Sequence, residues 1–502
     1  MSVRVLLSST ITVLLFWLGG CGSGTVPAAD AGTDADTDTD ADSDSDVDAD
    51  SDSDSDCDWS TEFEAFFAQD RVVQIAIDFD DPNAWDEMVA AMSTELYWPA
   101  TITVDGESIS QVGVRLKGNS SLMMSGVDNT KSLKLDFEEV VPDQTFHCLD
   151  KLSLNNATKD PSMIRERLGY DLARELGVPA VRTAHAELTV DGALQGVFTM
   201  VQQVDHRFLK DFYGTEDGAD DGNLYKLYSN YDFSFLGDDT TPADYGDAAA
   251  ETGLVLETNE GDPAMNTYAD VTELTKALAA AIADPSPENR AALESVMDVD
   301  SFLRLEAWHV AIANLDSPYT MEHNLYVYHN PITGLFEAVP WDVNEAFGSF
   351  QCQGGGPGDP PPAGDVYTVD LTQPCGADAP LTRLVTAIPE YEDRYCGILN
   401  ELVDVNDING GGIYNIDGMD ARIAALRDLL AEARQRMDDE GTLTQPPGNY
   451  TYEDFLTNQG HSPQAPVGTG TIGPGPGAGP NLGYFDDLRL DSVIDQIAAL
   501  CG

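Results

Sequence analysis

Once the chain passes Arg71, the apolar positions of "RVVQIAIDF" (71–79) fall at nearly every second place, and the pattern returns in "QVGVRLKG" (111–118) and "SLKLDF" (132–137). Alternation with β-branched residues predicts strands, here an antiparallel sheet. The period then lengthens. In "DPSMIRERLGYDLARELGVP", Ile164, Leu168, Leu172 and Leu176 recur at helical spacing between an aspartate start and a Gly-Val-Pro stop. "HAELTVDGALQGVFTMVQQVD" goes back to alternation around an Asp-Gly pair, which predicts a hairpin. Beyond it, helices are predicted over 269–283, 288–296 and 299–312, then the strands "NLYVYH" and "LFEAVPWD", then helices over 418–438 and 486–500. The fold class predicted is α+β, a sheet-rich front and a mainly helical back.

The N-terminal end reads differently. Arg4 precedes an apolar run from Val5 to Leu18, too short to span a bilayer, and residues 1–20 are predicted to be a secretory signal. The run ends in "LGGC", which resembles a bacterial lipobox and makes Cys21 the expected acylated first residue; a plain cleaved signal is the alternative. Within 21–58, an aspartate stands at almost every second place from Asp30 to Asp58 with no Lys or Arg, so repulsion extends the chain and nothing apolar offers a core. That stretch is predicted to be a tether. The globular domain is expected over 59–400, with a division near residue 200. A helical extension follows over 401–502, interrupted by a Gly/Pro-rich linker at 466–483.

Charge and cysteine content narrow the function classes. Asp and Glu number 88 against 25 Lys and Arg, a formal charge of −63, which argues against a nucleic-acid partner. Six cysteines follow Cys21, an even number that in an exported chain predicts disulfides. Cys352 and Cys375 bracket a Gly/Pro-rich loop and are the couple expected first. No pair has zinc-ligand spacing. "DVNDINGGG" from Asp404 departs from a calcium loop because Ile408 occupies a ligand position.

Three segments carry candidate chemistry. "RLKGNSS" ends a strand in Gly118, Asn119, Ser120 and Ser121, a turn whose backbone N–H groups can approach an anion. "ANLDSPYTMEHNLYVYH" places Asp316 and Asn324 between a helix and a strand. "PWDVNEAFG" places Asp342 after the next strand. Helix, loop with Asp and Asn, strand, turn, strand, Asp is the order in which kinases place a catalytic acid and two metal ligands, although Asp316 and Asn324 are eight residues apart where ordinary protein kinases use five. His309 and His323 flank the loop and are read as structural.

Taken in order, "GVRLKGNSS", "KSLKLDF", "LSLNNATKDPSMIRERLGYDLARELG", "VRTAHAELTVDGALQGVFTMVQQVD", "NLYK", "NLDSPYTMEHNLYVYHNP" and "VPWDVNEAFG" resemble the CotH kinase family of atypical, often secreted kinase-like proteins, over about residues 72–395. The resemblance implies a kinase-like fold with a sheet-rich N-terminal lobe and a mainly helical C-terminal lobe. It also implies ATP with Mg²⁺ or Mn²⁺ as cofactors, and transfer of the γ-phosphoryl group to a Ser or Thr of a surface or coat protein. Carried over by position, Asp342 and Asn324 are the expected metal ligands and Asp316 orients the acceptor hydroxyl. Lys134 is the expected phosphate-binding lysine, with Lys131 its rival, and "GNSS" covers the phosphates. The chain departs from the family pattern near Gln202 and Gln203, where members usually carry a Glu, a lysine-pairing or hinge carboxylate. It departs again at Asn344, where a second Asp is usual and a neutral amide offsets less phosphate charge. The expected location is the cell envelope, held by the Cys21 lipid. The alternative reading is an inactive structural or binding module with the same fold.

Overall fold

The computed structural model describes residues 59–502 except 93, 119–121, 123–129, 158, 230, 353–365, 443–449 and 463–478. The expectations for Cys21, Cys57, Asn119, Ser120, Ser121 and the aspartate-rich segment lie outside the described residues.

The alternating segments do form strands. β1 (Val72–Phe79), β2 (Trp98–Val104), β3 (Glu107–Leu116), β4 (Leu133–Asp136), β5 (Lys151–Asn155), β6 (Thr183–Val190) and β7 (Ala193–Gln202) close into a seven-stranded barrel in the order β1-β2-β3-β4-β5-β7-β6. Its pairs are antiparallel except where β1 meets β6 in parallel, with Val73 opposite Ala186 and Ile75 opposite Leu188. Inward positions are apolar and buried, among them Ile77, Ile102, Val114, Leu135 and Leu152. The β6–β7 turn uses Asp191 at φ 48° and Gly192 at φ 75°, the left-handed pair that a two-residue hairpin loop requires.

The helix of the aspartate-led segment spans Arg165–Glu175. Asp160 instead holds the turn that leads into it: Oδ2 accepts the Arg165 N–H at 2.9 Å and Oδ1 accepts that of Ser162 at 2.9 Å, while Ile164 stands at the N-cap. The start is delayed by Pro161 and by Met163, which sits at φ 58°. A second sheet follows, wholly antiparallel, in the order β12-β11-β8-β10-β9. It comprises β8 (Asn223–Ser229), β9 (Gly246–Asp247), β10 (Thr252–Leu256), β11 (Leu325–Asn330) and β12 (Leu335–Pro340). The helix Val299–Ala311 packs on β12, where Ser301 Oγ accepts the Ala338 N–H at 2.9 Å.

The C-terminal helices grip both parts. Ile416–Glu440 leans on β7 at Gly196, where φ is 115° and any Cβ would collide with Met437, and Arg436 forms a bidentate pair with Glu187. Leu482–Leu500 carries the buried Arg489, which donates to the carbonyls of Val310, Ala311, Tyr367 and Val369. Cys352 pairs with Cys375, as expected, and Cys396 with Cys501; Cys148 is disulfide-bonded as well. Among the described residues no helix is long and apolar enough to cross a membrane.

Candidate functional site

Alternation along β3 turns Leu116 into the barrel and sends Lys117 to the outer face, toward the helical part. There the Lys117 ammonium donates to Ser153 Oγ at 3.0 Å and to Asn155 Oδ1 at 2.9 Å, and lies 5.4 Å from the Trp341 ring. The Asn155 amide in turn donates to Glu166 Oε1 at 2.7 Å, from the first turn of Arg165–Glu175. Gly169 on that helix lets it close on the turn after β12, since a Cβ there would stand 3.2 Å from Val343 Cγ2. Burial pulls the Lys117 ammonium down against the charges of Asp342 and Glu166. Burial and then the Asp342 charge push the Glu166 carboxyl up, resisted by Lys117.

The loop after Val299–Ala311 brings Asp316 to the same place. His323 Nε2 lies 2.6 Å from Asp316 Oδ1, and the Asn324 amide donates to the Asp316 carbonyl at 2.9 Å and to its Oδ2 at 3.3 Å. Burial alone would lower the His323 imidazole, but the hydrogen bond and charge of Asp316 outweigh it and raise its pKa. Asp342 stands at φ 48°, and its Oδ1 is buried without a hydrogen-bond partner. Burial raises its carboxyl, with Lys117 opposing and Asp316 adding to the shift. Ala313, Asn324, Asp342 and Phe347 all have φ between 45° and 59°. Such a run of left-handed non-glycine residues stores strain that packing must hold. The Phe347 N–H to the Ile312 carbonyl at 2.8 Å and the Trp341 N–H to the Asn324 carbonyl at 3.2 Å tie the two loops together.

Asp316, Asn324 and Asp342, chosen from sequence, are thus tied together: Asn324 holds Asp316, its carbonyl takes the Trp341 N–H, and the charges of Asp316 and Lys117 act on Asp342. Lys134 lies on the same sheet face, opposite Arg115 and Ser153, and its charge reaches Lys117. Lys131 is buried, 1 % exposed. Gly118 follows Lys117 at φ 105°, a left-handed turn suited to glycine. Lys117, Glu166, His323, Lys159 and Glu345 were not picked out. For Lys117 the signal was present, because the alternation of "RLK" puts it on the face opposite Leu116. Gln202 accepts the Arg182 N–H at 3.0 Å and Gln203 donates to Ser153 Oγ, while Glu166 is linked to Lys117 through the Asn155 amide.

Elsewhere, His206, Asp220 and Asp221 hold ligand atoms within 4.8 Å of one another beside the start of the helix His206–Tyr213. Asp404 and Asp407 cap their own turn through the Asn406 and Gly410 N–H groups.

Residues 114–437 match the family described as CotH kinase protein, and the chain belongs to that family. Among curated proteins it is similar to the inner spore coat protein H of Bacillus subtilis (strain 168), with 27% identity over 205 residues, 41% of this chain and 52% of that protein. The match spans about half the length of that relative.

Proposed function

We propose that the chain is an exported phosphotransferase with an atypical protein-kinase-like fold, moving the γ-phosphoryl group of ATP to a Ser or Thr hydroxyl of a surface or coat protein. The observation that carries this reading is the convergence of the Lys117–Asn155–Glu166 chain with Asp342, Asp316 and Asn324 in one cleft. Kinases use a lysine paired with a helix glutamate, a metal-binding Asp and Asn, and an acid beside the acceptor hydroxyl. The donor set suits a divalent cation: carboxylate and amide oxygens are the hard ligands that Mg²⁺ and Mn²⁺ prefer, and Asp342 Oδ1 is buried with nothing to bind. Asp342 and Asn324 are the residues that would hold the metal, which when bound neutralises phosphate charge. Lys117, fixed by Ser153 and Asn155, offers its ammonium to the phosphates, and Lys134 adds positive charge on the same face. Asp316 accepts the hydroxyl proton, its orientation set by His323 and Asn324. Membrane attachment through Cys21 completes the reading.

The test is ATP-dependent thermal stabilisation and phosphoryl transfer at fixed Mg²⁺ or Mn²⁺. Nucleotide at 100 times its Kd stabilises the wild type by about 2.7 kcal/mol. Asp342→Asn loses that shift, whereas Asp316→Ala keeps it and loses transfer. Equal shifts in all three proteins overturn the site, and a shift without transfer in the wild type assigns the chain to binding alone.

A further inference from the structure

Glu345 follows Asp342 by three residues in the same turn and is 5 % exposed. One of its oxygens, Oε1, takes the Lys159 ammonium; the other, Oε2, is buried with no hydrogen-bond partner. The carboxylates of Asp316 and Asp342 bear on it directly, and Asp342 Oδ1 is itself buried and unpartnered. The turn that carries Asp342 and Glu345 therefore holds two buried oxygens with no partner, within the fields of Asp316, Lys117, Lys159 and His323. An ionised oxygen left buried and unpaired is strongly unfavourable, and a single ammonium satisfies only one side of Glu345. A divalent cation, which takes about six oxygen ligands, is the group that would satisfy both orphaned oxygens at once.

Resting on the reading of Asp342 as a metal ligand, we propose that Glu345 is a further carboxylate ligand of the cation site. Lys159 is then the internal cation that holds this carboxylate until a metal displaces it. Lys159 comes from the connection between β5 and the helix Arg165–Glu175, so its ion pair ties that connection to the turn that carries Glu345. Loading the metal therefore exchanges a lysine–glutamate bond for a metal–glutamate bond and frees the Lys159 ammonium.

The two partners of one ion pair should then have opposite effects on metal affinity. Glu345→Gln removes a ligand and weakens Mn²⁺ binding by about 10- to 100-fold, the range that lost supporting contacts already cause at metal sites. Lys159→Met removes the competitor and tightens it. Titration of the full-length chain with Mn²⁺ alone, following free Mn²⁺ by electron paramagnetic resonance, reads both, and metal-free melting confirms that each variant is folded. A purely structural ion pair predicts lower melting temperatures for both variants and unchanged Mn²⁺ affinity, and that result overturns the proposal. Should Glu345→Gln fail to fold, Lys159→Met decides alone: affinity equal to or weaker than wild type overturns it. Asp342→Asn separates the two levels. If it binds Mn²⁺ like the wild type, the site reading itself falls; if it loses binding while Glu345→Gln does not, only the role of Glu345 falls.

Discussion

Leu116, Leu133, Leu154 and Met200 lie side by side across four strands inside the barrel, almost without exposed surface. One residue along, Lys117, Ser132, Asn155 and Thr199 form the neighbouring row on the other face, against the helical part. The first row needs no polar partner, because every backbone group is spent in the ladder and every side chain is apolar. Behind the second row the chain accumulates what the barrel interior excludes. Glu306 has both carboxylate oxygens buried without partners, His309 is fully enclosed, Asp342 and Glu345 each hold an orphaned oxygen, and Ala313 and Phe347 sit in the left-handed region. A closed barrel stabilises itself locally. The helical part holds unfavourable groups only because distant segments clamp them, as Arg489 does for the carbonyls that precede Asn314.

The largest test of this contrast is the clamp. Cys396 and Cys501 are 105 residues apart, and by the chain-entropy estimate a bridge of that length contributes about 4.7 kcal/mol. Replacing both with serine should destabilise the helical part first. Hydrogen exchange should show amides of Val299–Ala311 and Leu482–Leu500 losing protection while β1 to β3 keep theirs; uniform loss would break the comparison. A smaller effect comes from the barrel side. Ile75→Ala, remote from the cleft and 2 % exposed, should cost about 3 kcal/mol in denaturant melts. The variant should keep wild-type Mn²⁺ affinity wherever it is folded, and a parallel loss would mean that the core and the site are not separable.

A third test concerns pH. Burial raises the Asp486 carboxyl to about 7, with Asp420 and Asp487 adding and the Tyr414 hydroxyl, 2.6 Å from Oδ1, opposing. In the unfolded chain it titrates near about 3.9. The folded protein therefore keeps a proton that the unfolded chain gives up, and the stability this contributes is full below about pH 4 and lost as pH rises through about 7. Asp486→Asn cannot ionise. Its melting temperature relative to wild type should climb between pH 4 and 7 and level off above; a constant difference would show that Asp486 does not titrate across that range.

Legibility followed the same division. The strand at 71–79, the hairpin around Asp191-Gly192 and the helices at 269–283 and 299–312 were readable because period and turn chemistry are local, and the observed ends fall within a few residues. β5, "KLSLN", was not singled out. It is short, and its outer face is buried against the helical part, so only tertiary packing makes it a strand. The helix Pro389–Leu402 was passed over as well. At the site, Asp316, Asn324 and Asp342 could be chosen by their order along the chain. Glu166 could not, since helical spacing makes Ile164, Leu168 and Leu172 the buried stripe and leaves it on the polar side. Its burial comes from a second surface, the sheet face that presents Asn155.

By itself, the sequence determined which segments alternate and which turn every 3.6 residues, where glycine and aspartate bend the chain, that Cys352 and Cys375 are placed to pair, and which acids stand at the ends of strands and helices. All of these depend on neighbours a few residues away. The tertiary structure alone decided that β1 closes on β6 across more than a hundred residues, and that Asn155 links Lys117 to Glu166 while Lys134 lies one strand over. It also decided that Glu345 is buried on Lys159 with its second oxygen unpaired. Such contacts depend on which surfaces exclude water from one another, and no periodicity along the chain encodes that.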